Sequence, residues 1–362
     1  MQLFAGKIDF YNFRNYKNFS FTVDKNITIL LGENAVGKTN AIEAFELLTS
    51  GDSFRHPSVK ELINEDAIQS SINLNIYNNK RNINNKLIIT ESKKQFILNN
   101  KPVNSRSIRN ILPSILFNPD DLQIIKGSPL LRRKNIDTLG IKLNKNYLTI
   151  KNNFEKALIQ RNKILKENNI DKNLLDAWTD SFITHATMFY LYRTSLFDRL
   201  VPYIKEVYKT LAPHETLEIK YIPSFSERLD IENKTSVNQK LLLTYKQIKD
   251  EEYVRKVSLF GPQKDDIVFY INNKDARSFG SQGQQRSITL ALKIAEVKLI
   301  QEYLDMSPLL LLDDVMSELD DGRRQALLDF IDNSVQTIIS TTQLSYFNKD
   351  VINKAKVIYL EK

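Results

Sequence analysis

The stretch Gly32-Glu33-Asn34-Ala35-Val36-Gly37-Lys38-Thr39 constrains this chain more than any other. It reads G-x-x-x-x-G-K-T, follows the apolar run Ile27-Thr28-Ile29-Leu30-Leu31, and leads into residues 40–48, which carry helical spacing. A strand, a glycine-containing loop and a helix in that order curl backbone N–H groups around phosphates at a helix N-terminus. Gly32, Glu33, Asn34, Ala35, Val36 and Gly37 are thus expected to cradle a nucleoside triphosphate. Lys38 is expected to reach the β- and γ-phosphates, and the Thr39 hydroxyl to hold Mg²⁺.

A second site lies at Pro308-Leu309-Leu310-Leu311-Leu312-Asp313-Asp314. An apolar strand ending in a carboxylate supplies the Mg²⁺ ligand of phosphate-loop enzymes, a role assigned to Asp313. Asp314, one residue on, is placed to orient or deprotonate the attacking water, which makes it, with Lys38, the catalytic pair. Ser317-Glu318-Leu319-Asp320 follows as a third element. Upstream, Phe279-Gly280-Ser281-Gln282-Gly283-Gln284-Gln285-Arg286-Ser287 opens a helix expected over 288–304. Ser281, Gly283, Gln284 and Gln285 there form a second anion-binding helix start. One γ-phosphate can use both starts only if the second comes from another copy, which points to a head-to-tail dimer with nucleotide between the copies. An ordinary cap by Ser281 or Ser287 is the simpler alternative.

Composition narrows the class. Hydrophobic residues make up 42% of the 362 and charged residues 26%, enough for a packed core in a water-soluble protein. The start lacks a signal-peptide core, and the most apolar run, residues 309–312, is far too short for a bilayer; no membrane role and a cytoplasmic location are expected. With no cysteine, disulfides, thiol catalysis and Cys-based zinc sites are excluded, and His56, His185 and His214 are scattered. A formal charge of +8 suits a polyanionic partner. Two basic clusters stand out: Lys126, Arg132, Arg133 and Lys134, and Arg55 with Lys60. Either is a candidate surface for DNA phosphates.

Along the chain, residues 1–30 read as a β-hairpin turning at Arg14-Asn15, and 70–100 as short strands between Asn-rich turns. Helical spacing runs from about 129 to 212, with Pro202 and Pro213 expected to interrupt or end helices. Strands return at 217–222 and 267–271. The expected fold is α/β: a phosphate-loop mixed sheet with flanking helices and an N-terminal antiparallel portion, split by an inserted helical arm. The expected boundaries are 1–125 and 255–362 for the head and 126–254 for the arm.

The motif order resembles the ABC-type ATPases, and within them the RecF family, related to the SMC and double-strand-break repair ATPases. Residues 12–16, 117–122, 126–133, 261–266, 277–286 and 292–296 carry the family resemblance across nearly the whole chain. It implies an ATP-binding head with Mg²⁺, a slow ATPase, an ATP-dependent homodimer, and binding of double- and single-stranded DNA at gaps or junctions. It also implies recombinational repair with RecO and RecR as partners in loading RecA. By the same resemblance Ser281, Gly283, Gln284 and Gln285 act in trans, Ser317 and Asp320 form the D-loop, and Arg14 and Asn15 lie on the adenosine side. A hairpin-turn role suits the last two equally. Two departures matter: Gln263-Lys264 stand where the family has His-Arg, and the switch His after the last core strand is replaced by Thr or Gln in 341–343. Another ABC-type machine, an SMC-like structural protein or a transporter motor, is the alternative. Against it stand 243 residues between Lys38 and Ser281 and the lack of long heptad runs.

Overall fold

A computed structural model of the chain describes residues 2–109, 111–225, 233–332 and 335–361. The first third holds β1 (Phe4–Phe13), β2 (Tyr16–Thr22), β3 (Ile27–Leu31), α1 (Lys38–Ser50), β4 (Gln69–Tyr77), β5 (Asn82–Thr90), β6 (Lys93–Leu98), β7 (Lys101–Val103), α2 (Ser105–Ile108) and β8 (Ser114–Phe117). The middle holds α3 (Gln123–Lys126), α4 (Pro129–Leu143), α5 (Lys145–Leu165), α6 (Lys172–Leu211), β9 (Leu217–Ile222), α7 (Lys234–Arg255), β10 (Asp266–Ile271), β11 (Lys274–Asp275), α8 (Ala276–Phe279) and α9 (Gln282–Leu304). The chain closes with β12 (Leu309–Asp313), α10 (Asp321–Asp332), β13 (Thr337–Thr341), α11 (Lys349–Lys354) and β14 (Lys356–Tyr359).

Two compact units result, one from residues up to Leu122 and from Thr289 onward, the other from Gln123–Ile288. In the first, β2-β1-β4-β5-β6-β7 form an antiparallel sheet, and β14-β3-β13-β12-β8 a parallel one. Alternating burial along β4 sends Ser70, Ile72, Leu74 and Ile76 inward, the period-2 pattern of a sheet with one wet face. By contrast β12 and β13 are buried at every residue, as a parallel strand covered on both faces must be. Helix α1 packs on β12 and β13 and also on β4. The expected phosphate-loop sheet and N-terminal antiparallel portion are thus two separate sheets, every pair of the β3 sheet being parallel and every pair of the other antiparallel.

In the second unit the α5–α6 pair packs with α4 and α7, and β11-β10-β9 make a small antiparallel sheet. Its extent corrects the expected boundary at 254: β10 pairs with β9 from Asp266↔Ile222 to Ile271↔Leu217, which ties residues 255–288 to the insertion. Pro202 does not end a helix either. The 40-residue α6 runs through it, because Phe197, Leu200, Ile204 and Val207 are buried on either side and outweigh one missing backbone bond. Pro213 does fall just past the end, after the C-cap Ala212. Two of the arginines buried in this unit lie deepest, Arg161 and Arg193. Arg193, 2% exposed, donates to both Asp137 carboxylate oxygens at 2.9 and 3.0 Å and to the Pro262 carbonyl at 2.6 Å. Arg161 donates to Thr179, Ser258 and Glu252.

Candidate functional site

The phosphate loop begins where β3 ends. The Gly32 N–H donates to the Thr341 carbonyl, so the loop hangs from β13 as well as β3. A Cβ at Gly32 would meet the Leu360 carbonyl oxygen at 2.6 Å, so a side chain is excluded there. Gly37 has φ 110, which only glycine adopts without strain, and a Cβ on it would meet Asn15 at 2.5 Å. The turn residue Asn15 reaches this loop directly: its Nδ2 donates to the Val36 carbonyl at 2.9 Å, and its Oδ1 accepts from Asn40 at 2.8 Å. The Tyr16 hydroxyl donates to the Gly37 carbonyl, and burial pushes its pKa up, which keeps the donor in place. The two-residue turn between β1 and β2, where Phe13 faces Tyr16, is therefore a buttress for the loop.

Arg14 occupies the same turn but faces away from the loop backbone. Its guanidinium makes a two-pronged contact with Glu43 of α1, which is wholly buried and also accepts from Ser53. Arg55 donates to Asn40 and lies 3.6 Å from Glu43. Its charge also acts on Asp313, so Arg55, though exposed, lies in the phosphate-loop neighbourhood.

At the head of α1 the Lys38 ammonium donates to the Gly32 and Glu33 carbonyls at 2.8 and 2.7 Å. Burial lowers its pKa, opposed by Asp314 and Asp313. Thr39 Oγ1 donates to Asp313 Oδ1 at 3.0 Å, and Ser340 Oγ donates to the same oxygen at 2.7 Å. The hydroxyl and carboxylate that the sequence assigned to Mg²⁺ thus stand together, from positions 274 residues apart. A hydroxyl plus a carboxylate suits Mg²⁺, which takes its other ligands from water and phosphate oxygens, rather than a metal held wholly by side chains. No group of three or more His, Cys, Asp or Glu that could hold a metal occurs among the described residues.

Asp314 follows in a left-handed conformation, φ 53, and its N–H donates to Ser340 Oγ. Its Oδ1 is buried with no hydrogen-bond partner among the described residues. Burial raises the Asp314 pKa, with Asp313 and Glu318 adding and Lys38 opposing; burial raises Asp313 too, against donors Ser340 and Thr39. An acid whose folded pKa exceeds its unfolded value costs stability once pH rises through that window. Ligand-free Asp314→Asn is therefore expected to melt above the wild type at pH 7, the gap closing as pH falls through the carboxylate range. A melting temperature at or below the wild type at pH 7 would contradict this account of the acidic pair.

The remaining motifs form caps. Ser317 Oγ donates to the Asp314 carbonyl, and Asp320 accepts from the Arg323 N–H at the start of α10. In the second unit Ser281 and Gln284 make a reciprocal pair: the Gln284 N–H donates to Ser281 Oγ at 3.2 Å, and the Ser281 N–H donates to Gln284 Oε1 at 2.8 Å. This capping box leaves Ser281 exposed at the mouth of α9. Gln285 turns inward instead, donating to the Ala276 and Gly280 carbonyls. Gly283 lies between them in the first turn of α9.

The basic cluster after Lys126 is corrected in part. Arg132 is 4% exposed; it makes a two-pronged contact with Asp266 and donates to the Ile124, Ile125 and Gly127 carbonyls. Arg133 donates to the Asp265 carbonyl. Arg132 is spent on the Asp266 carboxylate, which it cannot leave for a phosphate without unpairing that acid, and half-buried Arg133 is tied by one bond to the backbone of the same segment. Lys126 and Lys134 remain exposed, as does Lys60, which lies 3.7 Å from Glu91. Gln263 donates to the Phe260 carbonyl, within the same packed segment.

Ser340 is the site residue that sequence reasoning passed over. The segment 338–343 drew attention for its missing His, whereas the hydroxyls of Thr337, Ser340 and Thr341 inside a fully buried strand were the signal to follow.

No helix among the described residues is long and apolar enough to cross a membrane. Residues 5–361 match the RecF/RecN/SMC N-terminal domain family. The DNA replication and repair protein RecF of Oceanobacillus iheyensis is 34% identical over 359 residues, covering 97% of this chain and 96% of the relative. RecF of Lactobacillus acidophilus is 35% identical over 356 residues, covering 97% and 95%. Among solved structures, the recombination mediator protein RecF bound to ATP superposes with a TM-score of 0.87 at 27% identity, covering 96% of this chain and 94% of that one. A Smc head domain from Pyrococcus furiosus shares the fold, with a TM-score of 0.57 at 16% identity over 99% and 94% of the two chains. A phosphate loop held by the β1–β2 turn, a hydroxyl–carboxylate pair beneath it and full-length kinship converge: the chain belongs to the RecF family of SMC-related ABC-type ATPases.

Proposed function

We propose that this protein is an ATP-dependent, DNA-binding clamp of recombinational repair, a cytoplasmic ATPase that dimerises on ATP. The observation that carries the reading is the meeting of Thr39, Asp313 and Ser340 under the phosphate loop, with the unpartnered Asp314 oxygen beside it. When bound there, Mg²⁺ would neutralise charge on the β- and γ-phosphates. Lys38 would exchange its two loop carbonyls for phosphate oxygens. Asp314 would hold the attacking water and take up its proton, a task suited to a carboxylate whose pKa is already raised by burial. Ser281 of a second copy would complete the γ-phosphate site. With no histidine in 338–343, nothing there polarises the γ-phosphate as a switch His would, and hydrolysis is expected to be slow.

The relatives' names, and the RecFOR pathway named for the solved RecF–ATP structure, support repair as the setting, with RecO and RecR as partners and RecA loading as the outcome. DNA, double- and single-stranded at gaps or junctions, is the polyanion suited to the +8 charge. Lys126, Lys134 and Lys60 are the proposed phosphate contacts that remain after Arg132 and Arg133 are withdrawn.

Gel filtration tests the reading. Asp314→Asn with ATP and duplex DNA is expected to elute as a persistent dimer on DNA, since binding survives while water positioning is lost. Ser281→Arg is expected to bind ATP as a monomer and never to dimerise. Normal ATP-driven dimers of Ser281→Arg, or wild-type turnover by Asp314→Asn, would overturn the scheme.

A further inference from the structure

The geometry points to Glu215 as the residue that positions the signature segment, an inference that rests on the proposal that Ser281 acts on a second copy's nucleotide. Glu215 lies in the link between α6 and β9 and belongs to none of the motifs. Its Oε1 accepts from Gln284 Nε2 at 2.8 Å, and its Oε2 accepts from the Tyr208 hydroxyl at the end of α6. The Gln284 amide is thereby used at both ends, its oxygen by the Ser281 N–H and its nitrogen by Glu215.

This arrangement decides which way the amide faces. A primary amide has a donor end and an acceptor end of nearly equal shape, and only its partners choose between the two orientations. A carboxylate accepts only, so Glu215 can hold nothing but the nitrogen, which forces the oxygen toward the Ser281 N–H. The capping box then closes, and Ser281 Oγ accepts from the Gln284 N–H. With a lone pair so engaged, the Ser281 hydroxyl proton is free to be donated outward, where an opposing phosphate oxygen would stand. Glu215 is thus a positioning residue acting through Gln284, and Tyr208 fixes the carboxylate in turn.

Hydrogen–deuterium exchange of the nucleotide-free protein, paired with ATP titrations of dimerisation, tests this. Glu215→Ala is expected to speed exchange at the 281–284 amides and to raise the ATP concentration for half-maximal dimerisation about tenfold, the scale of a lost helix cap. Monomer affinity for a fluorescent ATP analogue should stay as in the wild type. Glu215→Gln, whose carbonyl can still accept from Gln284 but whose amide can also turn its donor end toward it, should restore both properties in part, and Tyr208→Phe should weaken them partway. Unchanged exchange at 281–284 in Glu215→Ala overturns the positioning role. So does wild-type dimerisation by Glu215→Ala while Ser281→Arg stays monomeric. If Ser281→Arg itself dimerises normally, the trans reading fails, and exchange alone then shows whether Glu215 orders the segment.

Discussion

Lys38→Met is expected to abolish nucleotide binding, by at least about a hundredfold, since charge-assisted hydrogen bonds contribute roughly 1.5–3 kcal/mol each and Lys38 is expected to make one to each of two phosphates. The substitution is a clean one. Lys38 is nearly buried and its stem fills space that methionine also fills, so the loop keeps its packing. Burial already disfavours the ammonium, and when it is removed Asp313 keeps its Thr39 and Ser340 donors, while Asp314 loses the charge that opposes its raised pKa. The lost property is therefore the cation itself. Titration with a fluorescent ATP analogue measures it, and an affinity within about threefold of wild type would remove Lys38 from the phosphate site.

The largest loss of stability is expected from Arg193→Leu. Asp137 would keep a single donor, the Tyr147 hydroxyl at 2.7 Å, in place of the two guanidinium bonds it now receives. The Pro262 carbonyl and the Phe189 ring, 4.3 Å from the guanidinium carbon, would lose their partner as well. Breaking a buried pair from one side costs roughly 3–5 kcal/mol, most of it from the carboxylate left behind. Urea unfolding followed by tryptophan fluorescence should register this, since Trp178 sits on the same helix α6. A loss below about 1 kcal/mol would mean that water reaches Asp137 and that the pair is not sealed.

What could be read in advance, and what could not, divides by range along the chain. The phosphate loop was legible because its chemistry is written in eight adjacent residues and its flanks repeat at the strand and helix periods. The β1–β2 hairpin was legible for the same reason, and its turn was placed at Arg14-Asn15, where it lies. The work of that turn was not legible. Asn15 meets Val36 across 21 residues, a contact that no local pattern encodes. Arg132 and Arg133 read as surface charge because their neighbours are basic, yet Asp266 and the Asp265 carbonyl, more than 130 residues away, draw them inward. Pro202 was overruled by burial on both sides of it. The head–arm boundary moved from 254 to 288 because strand pairing, not helical spacing, decides where β10 belongs. Ser340 stayed hidden because a serine among threonines and isoleucines has no meaning until Asp313 is beside it.

The position of β3 has a consequence for how the protein comes into being. Its two sheet neighbours are β13 and β14, and it pairs with no earlier strand. On the ribosome, residues 27–31 therefore wait for more than 300 further residues before either edge is met, roughly 15–60 s at ordinary rates of synthesis. The antiparallel sheet, complete by Val103, and the contiguous insertion have all their strands in hand long before that. The nascent chain thus carries an exposed Ile-Thr-Ile-Leu-Leu edge through most of its translation, a template for unwanted pairing that its own last strands must arrive to cover. The segment on which nucleotide binding depends is made among the first and is the last to be built in.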